Sequence, residues 1–166
     1  MVMRIVAETT IIVPGVAIFG IPSLILRWIG KGWLSSFTLL HTLSLSIGLL
    51  GMGMVVWVSY SFVSKGRGTP IPLDPPTEFV ASGLFRYVRN PMYVGVLLTL
   101  LSEMLFFQSA WLLAYSAVLW LILHTFLLLI EEPQLKARFG ESYHEYLEST
   151  PRWVPRMPHR KETIPV

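Results

Sequence analysis

Polar side chains that could do chemistry cluster where two long apolar segments begin or end. Arg86 and Arg89 precede Asn90–Pro91, and the adjacent Glu131 and Glu132 close a later apolar segment. Asn followed by Pro is a typical helix start, because Asn suits the cap and Pro the first helical position. The free N–H groups of such a start, beside two guanidinium groups, favour a carboxylate or phosphate.

The two glutamates, in contrast, favour a cationic group on a ligand. They lie at the C-terminal end of their segment, where the helix dipole disfavours negative charge. If this end adjoins the start marked by Asn90, a ligand with both a cationic centre and a carboxylate would match the pair. The alternatives are that Arg86 and Arg89 only follow the positive-inside rule and that the glutamates only end their segment before Pro133.

His124 lies seven residues before Glu131, on nearly the same helix face and roughly 10 Å deeper. An ionisable group within a membrane is a functional candidate, although a packing hydrogen bond explains a neutral histidine equally well. The other histidines lack the spacing of ligands, so no metal site is predicted. With no cysteine in the chain, a disulfide scaffold and a cysteine nucleophile are excluded.

The composition predicts an integral membrane protein. Of the 166 residues, 53% are hydrophobic and 14% are charged, whereas a soluble domain has about 25% charged residues. Mean hydropathy is +0.58. The apolar excess must therefore face lipid, and no basic patch with interleaved aromatic residues suggests nucleic-acid binding.

Three stretches are long enough to cross a bilayer, which takes about 20 apolar residues. They are Thr9–Leu26, Gly32–Ser64 and Asn90–Ile130, the last interrupted by one formal charge, Glu103. The first two stretches each supply one span. The third supplies a hairpin of two spans, with the turn expected at Gln108–Ser109. The predicted fold is all-α, with about four transmembrane helices.

The chain is expected to form a single membrane domain over residues 1–166. Within it we distinguish two N-terminal spans (1–63), a proline-rich cytoplasmic connector (64–81), a region with the polar motifs and two further spans (82–156), and a tail (157–166). After Pro133, apolar residues recur at helical spacing, which predicts a cytosolic amphipathic helix followed by a proline-rich tail.

Lysine and arginine are distributed unequally between the two sides of the predicted four-span arrangement. One side holds eleven of them, including Arg86 and Arg89, and the other holds only Arg27 and Lys31. The positive-inside rule therefore places both termini and the polar motifs in the cytoplasm, at an inner or cell membrane.

The motif RYVRNPMYVG, followed by EEPQLKARFGESYHEYL and PRWVPR, resembles the isoprenylcysteine carboxyl methyltransferase family and its phospholipid methyltransferase relatives. Their typical pattern is R-H-P-x-Y-x-G, E-E-x-x-L, F-G-x-x-Y-x-x-Y and R-x-x-P. The matching positions are Arg89, Pro91, Tyr93, Gly95, Glu131, Glu132, Leu135, Phe139, Gly140, Tyr143, Tyr146, Arg152 and Pro155. Asn90 replaces the usual His, and it cannot become cationic.

The resemblance implies a membrane enzyme that uses S-adenosylmethionine to methylate a lipid-like or isoprenoid acceptor. It implies that Arg86 or Arg89 holds the cofactor carboxylate and that Glu131 and Glu132 hold its amino or ribose groups. Tyr93 and Tyr143 would shape the adenine pocket.

Within this motif, Asn90 and Pro91 would contact the cofactor through the side-chain amide or the backbone. An amine or hydroxyl acceptor also needs a proton acceptor, for which His124 and Glu131 are candidates. A carboxylate acceptor needs only an arginine such as Arg89 to orient it.

Two other functions compete with methyl transfer. One is an NADPH-dependent membrane reductase of related fold, and the other is a non-catalytic membrane interaction protein. The expected partners are the bilayer and a hydrophobic acceptor, with neither nucleic acid nor metal. The sequence leaves the acceptor atom (N, O or S), the base and the oligomeric state open.

Overall fold

The computed structural model describes residues 12–31, 37–65 and 83–157. In these ranges the chain is helical and contains no strand. The helices are α1 (Ile12–Trp28), α2 (Leu39–Lys65), α3 (Pro91–Phe107), α4 (Ala110–Phe139) and α5 (Glu141–Ser149). A 3₁₀ turn, Gly83–Arg86, precedes α3. Most of the predicted connector and the last nine residues of the predicted tail lie outside the described residues.

Within the described ranges, two segments are long and apolar enough to cross a membrane, Leu39–Ser61 in α2 and Ala110–Phe139 in α4. The apolar helices α1 and α3 are shorter, and the 17 residues of α3 stand at the lower limit of about 17–25 for a spanning helix. The all-α prediction is confirmed for the described residues. The prediction of four spans stays a prediction.

Helices α2 and α3 pack closely because small residues face each other. A Cβ added to Gly51 would lie 2.7 Å from the Gly95 carbonyl oxygen, and one added to Gly95 would lie 2.8 Å from the Gly51 carbonyl oxygen. The Ser102 hydroxyl donates a hydrogen bond of 2.7 Å to the Ser44 carbonyl. Small residues and hydroxyl bonds of this kind join helices in a membrane, where apolar burial gives little net driving force.

The apolar core lies where α1 meets the α2–α3 pair. Its buried members are Ile18, Val55, Val58, Met92, Val96 and Leu100. Helix α4 is joined to α1 by the Tyr115 hydroxyl, which donates to the Ala17 carbonyl at 2.9 Å. Large apolar side chains on the far side of α4, such as Leu113, Leu121 and Leu129, are exposed. This apolar outer face suits a lipid environment.

The ends of the helices agree with two of the sequence predictions and differ from a third. Helix α3 begins at Pro91, and the turn into α4 falls at Gln108 and Ser109, as predicted. The apolar stripe after Pro133 does not form one continuous helix. It breaks at Gly140, whose φ of +56° glycine adopts without steric cost.

Candidate functional site

The site is built where the start of α3, the end of α4, α5 and the segment after α5 meet. The backbone N–H of Arg89 donates to the Pro151 carbonyl at 2.9 Å, and the N–H of Arg156 donates to the Tyr87 carbonyl at 3.0 Å. These bonds hold the chain after α5 against the chain before α3. Residues more than 60 positions apart are thus joined at one end of the helices.

Glu132 is the centre of a buried ion-pair cluster. Its Oε1 accepts hydrogen bonds from Arg89 Nη1 at 3.1 Å and from Arg152 Nε at 2.9 Å. Its Oε2 accepts from Arg152 Nη2 at 3.0 Å. The carboxylate is 9% exposed, so two charge-assisted partners offset the cost of removing it from water.

Arg89 also binds the end of α5. Its Nε donates to the Thr150 carbonyl at 2.5 Å, and its Nη2 donates to the Leu147 carbonyl. The last carbonyls of a helix lack partners within the helix and carry the negative end of its dipole, so a guanidinium suits them. All three nitrogens of Arg89 are therefore engaged by the protein itself, although the motif suggested a hold on a cofactor carboxylate.

Glu131 has a different environment from its neighbour. Its Oε2 accepts a hydrogen bond of 3.1 Å from the Tyr93 hydroxyl, on the first turn of α3. Among the described residues no arginine or lysine forms an ion pair with it. Of the two adjacent carboxylates, Glu132 is neutralised by two arginines, whereas Glu131 is held by a neutral phenol.

Two tyrosines of α5 are buried near the cluster. Tyr143 and Tyr146 are 3% and 5% exposed, and the Tyr146 hydroxyl donates to the Phe85 carbonyl at 2.7 Å. Burial raises the pKa of the Tyr143 hydroxyl, and the carboxylates of Glu132 and Glu131 raise it further. Burial likewise raises the pKa of Tyr146. Both phenols are therefore neutral around pH 7.

His124 belongs to an aromatic cluster with Trp120 and Trp153. Its ring stacks on Trp120 at 5.1 Å between centroids, and its Nδ1 accepts a hydrogen bond of 3.1 Å from Trp153 Nε1. With Nδ1 acting as acceptor, the neutral ring carries its proton on Nε2. The bond to Trp153 therefore competes with the predicted role of His124 as a base.

The remaining predicted residues surround the start of α3. Pro91 is buried as its first residue, and Asn90 precedes it without making a side-chain capping bond. Arg86 ends the 3₁₀ turn and is exposed. Its side chain has no hydrogen-bond or ion-pair partner in the part of the chain that the structure describes.

Arg152 is the residue of this cluster that the sequence reasoning did not assign to the site. Its only signal was its place in the final R-x-x-P motif, twenty residues beyond Glu132. The structure brings Arg89, Glu132 and Arg152 together, and joins Tyr93 to Glu131 beside them. It gives His124 other neighbours.

Comparison with known proteins identifies the family. The sequence model of the phospholipid methyltransferase family matches residues 39–142. Over 80 residues the chain is 35% identical to the protein-S-isoprenylcysteine O-methyltransferase of Schizosaccharomyces pombe, a match that covers 48% of this chain and 34% of that protein. The chain thus spans about a third of that relative's length. No solved structure matches the chain. Because the family model covers more than half of the 166 residues, the chain belongs to the phospholipid methyltransferase family.

Proposed function

We propose that this protein is a membrane-embedded methyltransferase that uses S-adenosylmethionine to methylate a lipid-like acceptor at the cytosolic face. Membership of a methyltransferase family supports the reaction class. The main support for the site is the Glu131–Tyr93 pair. Among the described residues, this half-buried carboxylate bonds to a neutral phenol and to no arginine or lysine, beside the neutralised cluster around Glu132.

The side chains present fit this cofactor. S-adenosylmethionine has a cationic sulfonium, an ammonium, ribose hydroxyls and one carboxylate. The carboxylate of Glu131 suits a cationic group or a ribose hydroxyl. Exposed Arg86 and the first N–H groups of α3 suit the carboxylate, since Arg89 is engaged by Glu132 and by the end of α5.

In the proposed mechanism the bound cofactor supplies a methyl group on a positively charged sulfur. The chain's own residues position the reactants and exclude water. Tyr93 orients the Glu131 carboxylate. The pairs of Glu132 with Arg89 and Arg152 hold α5, with its buried Tyr143, against the start of α3.

An amine or hydroxyl acceptor must lose a proton during the transfer. Of the two candidate bases, the geometry favours Glu131, because His124 already uses Nδ1 to accept the Trp153 bond. A carboxylate acceptor would need no base. The acceptor would arrive from the bilayer along the exposed apolar faces of α2 and α4.

The cytosolic placement is supported by the separation of charge along the bundle. Lys31 Nζ donates to the Gln108 carbonyl at 2.9 Å, so the end of α1 lies beside the α3–α4 turn. The site lies at the opposite end of α3, with the arginines at 86, 89, 138, 152 and 156 on that side. The positive-inside rule assigns the arginine-rich end to the cytosol.

Binding of tritium-labelled S-adenosylmethionine to the detergent-purified protein tests the site. Glu131→Gln keeps the shape but removes the charge, and should weaken binding about tenfold or more. Glu145→Gln changes an exposed glutamate of α5 and is the matched control, with wild-type binding expected. Equal binding by both variants would remove Glu131 from the site.

The same preparation separates the rival functions. Protection from thermal denaturation by NADPH, without binding of S-adenosylmethionine, would indicate the reductase instead. Binding of neither compound would indicate a non-catalytic membrane protein.

A further inference from the structure

Two π-turns interrupt the helices in the described part of the chain, and a proline follows each at the same spacing. The π-turn Val16–Gly20 precedes Ile21 and Pro22, and Leu127–Glu131 precedes Glu132 and Pro133. In each, the N–H of the next residue bonds to a carbonyl five residues back. These bonds run from Ile21 to Val16 and from Glu132 to Leu127.

Proline explains this spacing. It has no N–H to donate, and its ring collides with the carbonyl four residues earlier in a regular α-helix. For Pro133 that carbonyl belongs to Leu129. Widening the preceding turn to i→i−5 bonding moves this carbonyl aside and lets the helix continue, as π-turns within helices often do at functional sites.

The second π-turn ends at the two glutamates. Consecutive side chains of an α-helix diverge by about 100°, and a turn with more residues reduces that angle. Both carboxylates accordingly reach the start of the same helix, α3. Glu131 contacts Tyr93, and Glu132 contacts Arg89.

We propose that Pro133 is a positioning residue of the methyl-transfer site, because it holds α4 in the π-turn that directs Glu131 to Tyr93 while Glu132 faces Arg89. Its effect on cofactor binding rests on the proposed function, whereas its effect on the contact of Glu131 with Tyr93 does not. The part of S-adenosylmethionine that Glu131 would contact is its cationic group or its ribose hydroxyls.

Pro133→Ala is the direct variant. Pro133 is exposed, so alanine leaves no cavity and restores a backbone donor, and the thermal midpoint should stay or rise. Binding of tritium-labelled S-adenosylmethionine should nevertheless weaken about tenfold, through loss of one charge-assisted bond. If Pro133 had a merely structural role, binding would be unchanged whatever happened to the thermal midpoint.

Pro22→Ala is the matched control. It makes the same change after the other π-turn, which has no glutamate. Pro22 is fully buried, so this variant should lower the thermal midpoint and leave the affinity for S-adenosylmethionine at the wild-type value. Equal affinities of Pro133→Ala and the wild type would overturn the inference.

A double-mutant cycle tests the positioning role of Pro133 without using cofactor binding. It therefore still applies if the wild type binds no S-adenosylmethionine, a result that would refute the proposed function. Tyr93→Phe removes the hydroxyl bonded to Glu131 and should lower the thermal midpoint by about 2–4 °C in the wild-type background. In the Pro133→Ala background it should lower it by less than half as much, and in the Pro22→Ala background by the full amount. Equal shifts in all three backgrounds would overturn the positioning role of Pro133, whatever the binding result.

Discussion

Arg89 and Glu132 are 43 positions apart in the chain and form an ion pair of 3.1 Å between the residue preceding α3 and the last part of α4. Arg89 continues from this pair to the carbonyls of Leu147 and Thr150 at the end of α5. One guanidinium therefore joins three parts of the chain. Glu131, next to Glu132, bonds instead to Tyr93, which separates the carboxylate that holds the fold from the one proposed for the ligand.

Glu132→Gln should strongly destabilise the protein. The amide removes the negative charge that two arginines share, and leaves the largely buried guanidinium groups of Arg89 and Arg152 without the carboxylate that balances their charge. Removing one partner of a buried ion pair costs about 3–5 kcal/mol. The measurement is the free energy of unfolding in detergent, with Glu145→Gln as the exposed control. Equal stability of the two variants would show that the ion pairs of Glu132 with Arg89 and Arg152 do not stabilise the fold.

Gly51→Ala should disrupt the packing of α2 on α3. Its Cβ would lie 2.7 Å from the Gly95 carbonyl oxygen and 2.8 Å from the Thr99 nitrogen, and backbone atoms cannot move aside as a flexible side chain does. The expected loss of stability is about 1–3 kcal/mol.

Gly53→Ala is the control for this variant, because no atom of the described residues lies within 4 Å of its added Cβ. In a helix interior this change should stabilise by about 0.5–1 kcal/mol. Thermal denaturation of the two variants in the same detergent gives the comparison. If Gly51→Ala were as stable as the wild type, α2 and α3 would have to lie farther apart than they do in the structure.

Trp153→Phe should loosen the segment after α5. The variant loses the hydrogen bond of 3.1 Å to His124 Nδ1 but keeps an aromatic ring beside Trp120. Loss of one such bond costs about 1 kcal/mol. Trp28→Phe, which changes an exposed tryptophan of α1, is the control. We expect faster proteolysis after residue 149 only in Trp153→Phe, and identical digestion patterns would contradict this role.

Alkaline pH should destabilise the protein through the tyrosines of α5. Burial raises the pKa of Tyr143 and Tyr146, so the folded chain keeps both protons at a pH where the unfolded chain, with pKa about 10, has lost them. The unfolded state then binds fewer protons than the folded state, and stability falls as pH rises above about 10. Below about pH 10 the two tyrosines are protonated in both states, so they do not make the free energy of unfolding depend on pH.

Tyr146→Phe should flatten this alkaline decline, because one of the two buried phenols no longer titrates. It should also lower stability near pH 7, since the bond to the Phe85 carbonyl is lost. The measurement is the free energy of unfolding between pH 7 and pH 11 for both proteins. Parallel curves for the two proteins would show that Tyr146 does not contribute to the alkaline loss of stability.

Local sequence signals predicted the ends of the helices. The Asn90–Pro91 pair predicted the start of α3, and the interruption at Gln108–Ser109 predicted the turn into α4. The predicted hairpin of two spans over Asn90–Ile130 also placed the start of α3 and the end of α4 at the same end of the helices, where the structure shows them in contact. These features depend on the properties of a few neighbouring residues, which a sequence displays directly.

The pairing within the site could not be predicted. Which glutamate meets Arg89 depends on the rotation of α4, and the π-turn before Pro133 changes that rotation. Arg152 reaches Glu132 only because α5 folds back after the break at Gly140. His124 has a partner from the segment after α5, which helical periodicity does not locate.

The proposed methyl transfer can be measured by mass spectrometry of lipids incubated with the purified protein and trideuteriomethyl-labelled S-adenosylmethionine. We expect the wild type to transfer the intact labelled methyl group to an extractable lipid or isoprenoid compound, and Glu131→Gln to do so at a greatly reduced rate. Absence of labelled lipid with wild-type protein that is folded and supplied with a full membrane extract would contradict the proposed methyl transfer.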